Sequence, residues 1–454
     1  MPNMNNIFDI EKKYNVKSIK YNGICIWPII RVYIAAKIAF NKERITINKK
    51  NILSLILNFT RGFKNLIFTK AKYLAFSDTD RRVFINGKYF DRLVDPIADE
   101  LKILIIETPI YNHYPSTKTF SNELASSLPL KFLVEIISWF TKVKKIESED
   151  TLLSILGELE FSINYKKLIK RTFAEELIMR NYFKLKKIKG VFVVVSYTKP
   201  GIIFACKKLG IPVIELQHGV INDYHYAYNI KDDYGNIFYP DYLYTYSENE
   251  KKVFLKDNYF IKSDNVIPVG NYLIDFYRKG NLYLTELEEK TKGFDLLVAI
   301  SGQVSFDYLL VPFLLKLANS NKNIAFIFIP RADNYFLKNL TPIPPNIIFI
   351  NSLNTYEIIR RVNIHASIAS TCSLEALALG IPNIFINLND LSIKFFKHIE
   401  KYKYNYFINN TNEFNQIIKN FKRVEKNKVI NEYNFLFNNN YKQSLSKALK
   451  LLNI

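Results

Sequence analysis

One histidine of the sequence lies where a general base would be useful. His218 belongs to the phrase Gln217-His218-Gly219, which directly follows PVIEL (212–216), a run that predicts a buried strand. The carboxyl ends of parallel strands form the functional edge of an open α/β sheet. A neutral imidazole there can take a proton near neutral pH, and the glycine lets the chain turn sharply. We therefore predict catalytic roles for His218 and Gln217, with Gly219 on the acceptor side. The alternative is a histidine that only satisfies the backbone groups of its loop.

A second histidine, His225, lies in the aromatic loop DYHYAY (223–228). Aromatic side chains close to a histidine are typical of a pocket that orients a bound molecule. We predict that His225 lines the acceptor pocket. His113 and His398 have less constrained surroundings and receive no role.

A hydroxyl-rich loop, Ser370-Thr371-Cys372-Ser373-Leu374-Glu375, joins a predicted strand to a predicted helix. Small hydroxylated residues let backbone N–H groups and hydroxyls approach a phosphate, and the helix N-terminus adds to the attraction. We predict that Ser370, Thr371 and Ser373 bind nucleotide phosphates and that Glu375 accepts hydrogen bonds from ribose hydroxyls. Two alternatives stay open: N-capping by Ser or Thr, and a carboxylate that only complements the helix dipole.

Two further loops on the same predicted edge carry polar residues. Ser301-Gly302-Gln303 follows the strand FDLLVAI (294–300), and Arg331 ends the strand IAFIFIPR (324–331). An arginine can pair bidentately with a phosphate. We therefore predict that Ser301, Gly302, Gln303 and Arg331 belong to the nucleotide donor site. A salt bridge to a surface carboxylate is the alternative for Arg331.

The elements that position these residues come from a repeated phrase. Leu-Gly-Ile-Pro occurs at 209–212 and again at 379–382, each time after a helical pattern and before an apolar strand. Glycine just past a helix relieves the strain of a left-handed C-cap, and the proline prevents the helix from continuing. Two such βαβ units in separate halves predict an α/β protein with two Rossmann-like domains, whose parallel sheets face a central cleft.

The predicted organisation has three parts. Residues 1–72 form a basic, amphipathic, helical segment, 73–280 the first Rossmann-like domain on the acceptor side, and 281–454 the second on the nucleotide donor side. The helical tail 410–454 is expected to cross back to the first domain. In the first domain the strongest strand patterns are KYLAFS (72–77), RVFING (82–87), LKILIIET (101–108), VFVVVS (191–196) and YLYTYS (242–247).

The charge of the chain is unevenly distributed. The 454 residues carry a net charge of +21, and residues 1–72 hold 14 Lys/Arg against 3 Asp/Glu. Two interpretations of this segment remain: helices packed on the first sheet with solvated lysines, or a surface that lies on anionic lipid. We expect no nucleic-acid partner, because no zinc finger, RNP-like sequence or Arg-rich recognition element accompanies the charge.

The number and spacing of the cysteines, together with the hydropathy of the chain, indicate the cellular compartment in which the protein is expected. The three cysteines, Cys25, Cys206 and Cys372, are scattered and form no C-x-x-C pair, so neither disulfides nor a zinc site is expected. The N-terminus lacks the pattern of a signal peptide, and no uncharged stretch reaches the roughly 18 residues of a membrane span. We expect a cytoplasmic protein, with attachment to the inner face of the cell membrane as the second interpretation of residues 1–72.

Several signatures of other enzyme classes are missing. The sequence has no Walker A loop, no G-x-G-x-x-G fingerprint, no H-E-x-x-H and no G-x-S-x-G elbow. Its close aspartate pairs, Asp78-x-Asp80 and Asp232-Asp233, match the D-x-D loop of metal-dependent transferases only weakly. Kinase, dehydrogenase, serine-hydrolase and metal-dependent transferase functions therefore lose support, and no metal site is predicted.

Three phrases carry a resemblance to a known family: ELQHGVI (215–221), VIPVGNYLID (266–275) and STCSLEALALGIPNIFIN (370–387). The chain resembles bacterial glycosyltransferases of the two-domain GT-B type that assemble capsule and lipopolysaccharide, in outline over about 190–390. The third phrase is similar to the segment that holds the donor nucleotide. YNGICIWPIIR (21–31) is similar to the leader of some of these proteins.

The resemblance also bears on mechanism. In the related polyol-phosphate transferases of teichoic acid synthesis, a His-Gly pair in a comparable loop is catalytic, which matches His218 and Gly219 but not Gln217, where an aromatic residue is usual. The E-x7-E pair of many retaining GT-B enzymes is absent, since Glu375 has Ser367 eight positions before it and Asn383 eight after. This departure favours inversion.

The function expected from the sequence is metal-independent, inverting transfer of a sugar from a nucleotide-sugar donor to a surface-glycan or lipid-linked acceptor. No cofactor is expected beyond the nucleotide sugar itself. Three alternatives stay open: a CDP-glycerol type polyol-phosphate transferase, a nucleotide-sugar epimerase of the same fold, and a non-catalytic assembly scaffold.

Overall fold

The computed structural model describes residues 6–40, 52–110, 115–160, 162–255, 257–280, 285–331 and 342–452. Residues 41–51 of the predicted basic segment, and His113, lie outside these ranges. The chain divides into two compact units, unit 1 (Met1–Val269 with Lys442–Ile454) and unit 2 (Gly270–Tyr441). The C-terminal helix is thus grouped with unit 1.

Unit 1 is built on a parallel seven-stranded sheet with the order β11-β10-β9-β8-β3-β6-β7. Two antiparallel hairpins, β1–β2 and β4–β5, accompany it. The predicted strand RVFING therefore lies in a hairpin outside the main sheet. The strands are β1 Lys20–Tyr21, β2 Ile24–Cys25, β3 Tyr73–Asp78, β4 Arg82–Ile85, β5 Lys88–Asp91, β6 Ile103–Thr108, β7 Leu124–Ser126, β8 Gly190–Val194, β9 Val213–Leu216, β10 Tyr242–Thr245 and β11 Val266–Pro268.

The described helices of unit 1 surround this sheet in chain order. They are α1 Asn6–Lys13, α2 Trp27–Phe40, α3 Ile52–Thr60, α4 Phe63–Phe68, α5 Asp95–Ala98, α6 Leu128–Phe140, α7 Glu149–Glu158, α8 Tyr165–Lys186, α9 Pro200–Leu209 and α10 Glu248–Lys251. Helix α9 ends at Gly210, whose φ of 65° lies in the left-handed region, as the first Leu-Gly-Ile-Pro phrase predicts. Ser247 and Glu250 form a capping box at α10.

The N-terminal helices belong to the core of unit 1. Ile30 and Ile34 of α2, and Trp27 at its start, are fully buried in a cluster that also contains Phe204 and Tyr228. Apolar burial of this kind is the main source of folding free energy. Helix α2 therefore contributes to the interior of unit 1.

Unit 2 is built on a parallel six-stranded sheet with the order β14-β13-β12-β15-β16-β17. Its strands are β12 Leu296–Ser301, β13 Ile324–Ile329, β14 Ile347–Ile348, β15 Ile364–Ser367, β16 Asn383–Ile386 and β17 Asn405–Ile408. The predicted α/β class with two parallel sheets is confirmed.

The described helices of unit 2 are α11 Tyr272–Lys279, α12 Glu286–Lys290, α13 Asp307–Ser320, α14 Thr355–Ile359, α15 Cys372–Ala378, α16 Leu391–Phe396, α17 Thr411–Asn420 and α18 Lys426–Glu432, followed by the terminal helix α19 Tyr441–Leu451. Gly380 follows α15 with φ 86°, and a Cβ there would lie 2.6 Å from Lys426 Cβ. The second Leu-Gly-Ile-Pro phrase thus serves both the turn and a close approach to α18. Across the described ranges, no helix has the length and apolar character needed to cross a bilayer.

Candidate active site

The carboxyl ends of three neighbouring strands of unit 1 bring polar side chains together. Strands β9, β8 and β3 are adjacent in the sheet; Asp78 ends β3, Ser196–Thr198 follows β8, and His218 lies two residues beyond β9. Val195 has a φ of 59°, which is strained for a β-branched residue. This bend at the end of β8 begins the turn that carries Ser196–Thr198.

His218 is half-buried, with its two ring nitrogens facing tyrosine hydroxyls. Its Nε2 lies 3.5 Å from Tyr197 Oη and its Nδ1 3.4 Å from Tyr228 Oη. Tyr228 donates its hydroxyl hydrogen to Glu215 Oε1 at 2.8 Å. The Tyr228 oxygen is therefore an acceptor toward Nδ1–H. We infer the tautomer in which Nε2 carries the lone pair, so that Nε2 is the atom able to take a proton.

The surroundings keep His218 neutral. Burial lowers the pKa of His218 well below its usual 6.5, and the positive charges of Arg81 and Lys199 act in the same direction. A neutral imidazole at pH 7 is the form that accepts a proton from a hydroxyl. The same lowering makes this imidazole a weaker base than a free histidine, because a general base is most effective when its pKa is near the working pH.

Glu215 supports this histidine from inside the sheet. The side chain is fully buried, and burial raises the pKa of Glu215. Its Oε1 accepts from Tyr228 Oη and from the backbone N–H of Ser196 at 3.2 Å. Its Oε2 has no hydrogen-bond partner in the described part of the chain. A charged residue inside the apolar run PVIEL is the sequence signal that could have found it.

A cavity of about 300 Å³ lies at the same edge of the sheet. Four ionisable groups line it, two acidic and two basic: Asp78, Glu175, Lys131 and Lys199. Lys199 Nζ lies 3.6 Å from Asp78 Oδ2 and donates to the carbonyl oxygen of Val194 at 2.6 Å. Burial lowers the pKa values of both lysines. The remaining lining is mixed, with the hydroxyls of Thr108, Ser127 and Thr198 among Phe76, Ile110, Leu130, Val134, Met179 and Ile202.

Gln217 holds the loop in place. Its side-chain nitrogen donates to the carbonyl oxygen of Gly219 at 2.9 Å and to Glu250 Oε1 at 3.2 Å. Its side-chain oxygen accepts from the backbone N–H of Tyr246 at 2.6 Å. These hydrogen bonds engage both the oxygen and the nitrogen of the Gln217 amide, so Gln217 positions the loop. Gly219 takes part through its carbonyl oxygen, as a hydrogen-bond acceptor.

His225 lies in the same aromatic cluster as His218. Its ring centroid is 4.8 Å from that of Tyr228 and 6.1 Å from that of Tyr197. Burial lowers the pKa of His225 to about 4. The structure therefore brings the two predicted histidines together around two tyrosines that the sequence analysis did not single out.

The predicted donor loops of unit 2 lie at the carboxyl edge of its sheet, but several of their side chains face inward. Ser301 is buried, with its Oγ 2.8 Å from His365 Nε2, and His365 Nδ1 lies 2.6 Å from Asn383 Oδ1. The Ser301 hydroxyl is thus part of a polar chain across β12, β15 and β16. Sequence analysis gave no role to His365.

Gly302 and Gln303 bring two loops of unit 2 together. A Cβ at Gly302 would lie 3.0 Å from the Phe328 ring and 3.1 Å from Asp307 Oδ1. With its amide oriented so that both atoms are satisfied, Gln303 donates to the carbonyl oxygens of Ile368 at 3.0 Å and Ala369 at 3.2 Å. The loop after β12 is therefore fixed against the loop after β15.

The hydroxyl-rich loop divides into inward and outward residues. Ser373 is fully buried, with its Oγ 2.6 Å from Ser367 Oγ, and buried Glu375 accepts from Tyr356 Oη at 2.9 Å. Ser370 Oγ accepts from the backbone N–H of Cys372 at 3.3 Å. Thr371 is half-buried and makes no side-chain cap bond to α15. Of these hydroxyls, that of Thr371 is the one best placed to meet a ligand.

Arg331 is exposed two residues beyond the end of β13. Among the residues that the structure describes, no group of three or more His, Cys, Asp or Glu side chains could hold a metal ion. The candidate functional regions of unit 1 are the His218 cluster and the cavity. Those of unit 2 are the 301–303 and 368–371 loops.

The architecture matches solved enzymes of one fold. A UDP-N-acetylglucosamine 2-epimerase is 12% identical with a TM-score of 0.50, over 85% of this chain and 96% of that one. A Listeria monocytogenes protein described as a UDP-N-acetylglucosamine 2-epimerase is 11% identical with a TM-score of 0.52, over 84% and 96%. CalG4, the calicheamicin glycosyltransferase, is 10% identical with a TM-score of 0.51, over 85% and 98%.

These likenesses show the fold: the chain has the two-domain GT-B architecture, with a Rossmann-like parallel sheet in each unit. No protein-family model matches the sequence, and no curated protein matches it either. Function therefore has to be argued from the site, because one fold supports many activities.

Proposed function

We propose that this chain is an enzyme that binds a nucleotide sugar and transfers its sugar to a hydroxyl of a surface-glycan or lipid-linked acceptor. The observation that carries the proposal is the neutral His218 at the carboxyl edge of the unit 1 sheet, whose Nε2 faces the Tyr197 hydroxyl at 3.5 Å and whose Nδ1 faces that of Tyr228. The GT-B fold supports it, because solved proteins of this fold include a glycosyltransferase.

In the proposed reaction, His218 Nε2 takes the proton of the acceptor hydroxyl while the acceptor oxygen attacks the anomeric carbon. The bond from that carbon to the nucleotide phosphate breaks, and the phosphate leaves with the electron pair. A single displacement of this kind inverts the anomeric centre. Glu215 and Tyr228 hold the imidazole in the required tautomer and stabilise the imidazolium that forms.

The unit 1 cavity is the proposed acceptor pocket. Its volume of about 300 Å³ is at the lower end of the range for small-molecule sites. Its lining combines hydroxyl-bearing and charged groups with apolar ones, which suits a sugar, because a sugar has polar edges and apolar ring faces. Lys199, which lines this pocket and lies 3.6 Å from Asp78 Oδ2, also acts electrostatically on His218.

Unit 2 is the proposed nucleotide side, without a metal ion. Thr371, the backbone of the 368–371 loop and Arg331 would interact with the phosphates. Gln303 would keep the loop in shape, because it bonds to the carbonyl oxygens of Ile368 and Ala369. Ser301, Ser373 and Glu375 would support these groups from the interior rather than touch the ligand.

The second candidate is epimerisation of a nucleotide sugar. The observation in its favour is that two of the solved proteins with this fold are described as UDP-N-acetylglucosamine 2-epimerases, each aligned over 96% of its length. An epimerase needs no acceptor, so the two functions differ in a measurable way.

A two-stage experiment tests the proposal. First, UDP, GDP, CDP and CMP are screened by thermal shift; a ligand at 100 times its Kd adds about 2.7 kcal/mol to the folded state. Second, the nucleotide sugars of the binding base are incubated with and without glycan acceptors, and the products are followed by NMR.

The products separate the candidates. We expect release of the nucleoside diphosphate only when an acceptor is present. The product should carry the sugar with an inverted anomeric centre. A change of configuration in the donor sugar without an acceptor would show an epimerase. Release of CMP from CDP-glycerol would show a polyol-phosphate transferase. A protein that binds no nucleotide would be a scaffold, and the enzyme proposal would fail.

A further inference from the structure

Three helices of unit 1 expose large apolar side chains side by side. Phe68, Trp139 and Phe140 are 74–78% exposed, far more than such residues are in a folded interior. The set, called the apolar face below, lies on α3, α4 and α6 and consists of Ile56, Leu57, Phe63, Ile67, Phe68, Phe132, Leu133, Trp139 and Phe140.

Contacts between the helices make this a single surface. The ring of Phe59 on α3 lies 6.1 Å from that of Phe132 on α6. Helices α3 and α4 are separated only by Arg61 and Gly62, and Asn65 of α4 donates to the carbonyl oxygen of Leu124 at 2.8 Å. The face is therefore built on the rigid sheet rather than on a loose segment. Apolar surface of this extent on a folded domain marks an interaction site.

The exposed charges around the apolar face are mostly positive, with one carboxylate beside α4: Glu123 accepts a hydrogen bond from Thr69 Oγ1 at 2.9 Å. Lys64, Lys70 and Lys72 are exposed on α4 and just after it, whereas Arg61 is buried and paired with Glu107. Exposed lysines Lys142, Lys144 and Lys145 follow α6. The one carboxylate of α6, Glu135, is paired with Arg171 at 2.7 Å.

We propose that the apolar face docks onto an anionic lipid bilayer. Aromatic and aliphatic side chains flanked by lysines are the combination that enters the headgroup region of such a membrane. A second copy of this chain fits less well, because its own lysines would meet these across the interface and repel them.

This surface differs from the one expected from composition alone. Helix α2 of the basic segment contributes Trp27, Ile30 and Ile34 to the core, and its Arg31 is only 1% exposed. The apolar face combines the later helices of that segment with α6, which lies outside it.

Helix α6 also connects the apolar face with the proposed acceptor pocket. Leu130, Lys131 and Val134 of this helix line the cavity, while Phe132, Leu133 and Trp139 are exposed. Docking would thus hold the cavity close to the bilayer, where a lipid-linked acceptor is found. This last step rests on the proposed function; the docking itself does not.

The test uses a reporter that the chain already contains. Of its two tryptophans, Trp27 is fully buried and Trp139 is 75% exposed, so a change in tryptophan emission reports on Trp139. The full chain is mixed with vesicles of phosphatidylcholine containing about 30% phosphatidylglycerol, and with pure phosphatidylcholine vesicles, at salt concentrations spanning the screening range. Blue-shifted emission and co-sedimentation with the anionic vesicles, weakened by salt, are expected.

Variants separate the apolar and the electrostatic contributions. Trp139→Ser with Phe140→Ser should lower the vesicle partition coefficient at least about tenfold, because each large side chain gains free energy on burial. Leu255→Ser, at a residue 60% exposed elsewhere in unit 1, is the matched control and should bind normally. Lys144→Glu with Lys145→Glu should weaken binding, whereas Lys419→Glu with Lys422→Glu in unit 2 should not.

Four results would overturn the proposal. Two concern vesicles directly: no binding to anionic vesicles, or a Trp139/Phe140 variant that binds as well as the original protein. The third is that the Leu255 and Trp139/Phe140 variants lose binding to the same extent, and the fourth is a dimer in sedimentation analysis that the Trp139/Phe140 variant dissociates. Because vesicle binding needs no turnover, its failure would leave the proposed transfer reaction standing, and a failed transferase assay would leave docking standing.

Discussion

Arg31, on the second helix of the chain, donates a hydrogen bond of 2.9 Å from Nη2 to the carbonyl oxygen of Asn229. It also donates from Nη1 to the carbonyl oxygen of Tyr226 and forms an ion pair with Glu11 at 2.5 Å. One buried guanidinium therefore fixes the loop that carries His225 and Tyr228. The phrase YNGICIWPIIR, in which no site residue was predicted, ends in the residue that holds the candidate site in shape.

The first prediction concerns this ion pair. Arg31→Met leaves the Glu11 carboxylate, which is 5% exposed, without its partner. Breaking a buried pair on one side costs about 3–5 kcal/mol. We expect the urea midpoint of unit 1 to fall accordingly, measured by circular dichroism. The double variant with Glu11→Gln should recover part of the loss; a double variant less stable than Arg31→Met would contradict this assignment.

The second prediction concerns His218. His218→Ala should lower turnover about 10²–10⁴-fold, the usual contribution of a general base, while nucleotide affinity measured by calorimetry stays the same. His398→Ala, at an exposed histidine of unit 2, is the matched control. Retained turnover in His218→Ala, or an equal loss of nucleotide affinity, would remove His218 from the role of base.

The fold was largely predictable from the sequence because its signals are local. Apolar runs marked the buried strands, and the two Leu-Gly-Ile-Pro phrases marked the ends of α9 and α15, where Gly210 and Gly380 adopt positive φ. Short strands such as β7 and β17 were missed because their apolar patterns are too brief to stand out.

The site was less predictable, because it depends on contacts between residues far apart in the chain. His218 and His225 were found from their loops. Tyr228 and Lys199 could be recognised only from their contacts in the fold, with Glu215 and Asp78 respectively. In unit 2, spacing alone could not tell which hydroxyls face inward. That depends on partners such as Ser367 for Ser373.

The third prediction separates the two kinds of hydroxyl in the 370–373 loop. Thr371→Val should raise the nucleotide Kd several-fold in calorimetry, with little change in stability, because its hydroxyl makes no cap bond to α15. Ser373→Ala should instead lower stability by about 1–3 kcal/mol, since it leaves the buried Ser367 hydroxyl without its partner. If Ser373→Ala weakens nucleotide binding more than Thr371→Val does, the division into inward and outward residues is wrong.

The fourth prediction concerns pH. Burial lowers the pKa of His365 to about 4, against about 6.5 in the unfolded chain. Between these values the unfolded state binds more protons, so the contribution of His365 to stability is complete above pH 6.5. It is lost as the pH falls toward 4, by up to about 3 kcal/mol. Histidine-selective NMR should show the His365 Cε1 shift unchanged from pH 8 down to about 5. The same resonance should titrate near 6.5 in denaturant, and a native midpoint above 6 would contradict the prediction.

The fifth prediction uses two helical glycines in different surroundings. At Gly201 in α9, a Cβ would lie 2.5 Å from Glu175 Oε2 and 2.7 Å from the carbonyl oxygen of Thr172, whereas at Gly157 in α7 nothing lies within 4 Å. Gly201→Ala should therefore separate α8 from α9, displace Glu175 from the cavity wall and destabilise unit 1 by about 1–3 kcal/mol. Gly157→Ala should stabilise it by about 0.4–1 kcal/mol, because alanine restricts the unfolded chain and favours the helix. Thermal melts of the two variants should shift in opposite directions; shifts of the same sign would show that the close approach of α8 and α9 at Gly201 is not a constraint on the fold.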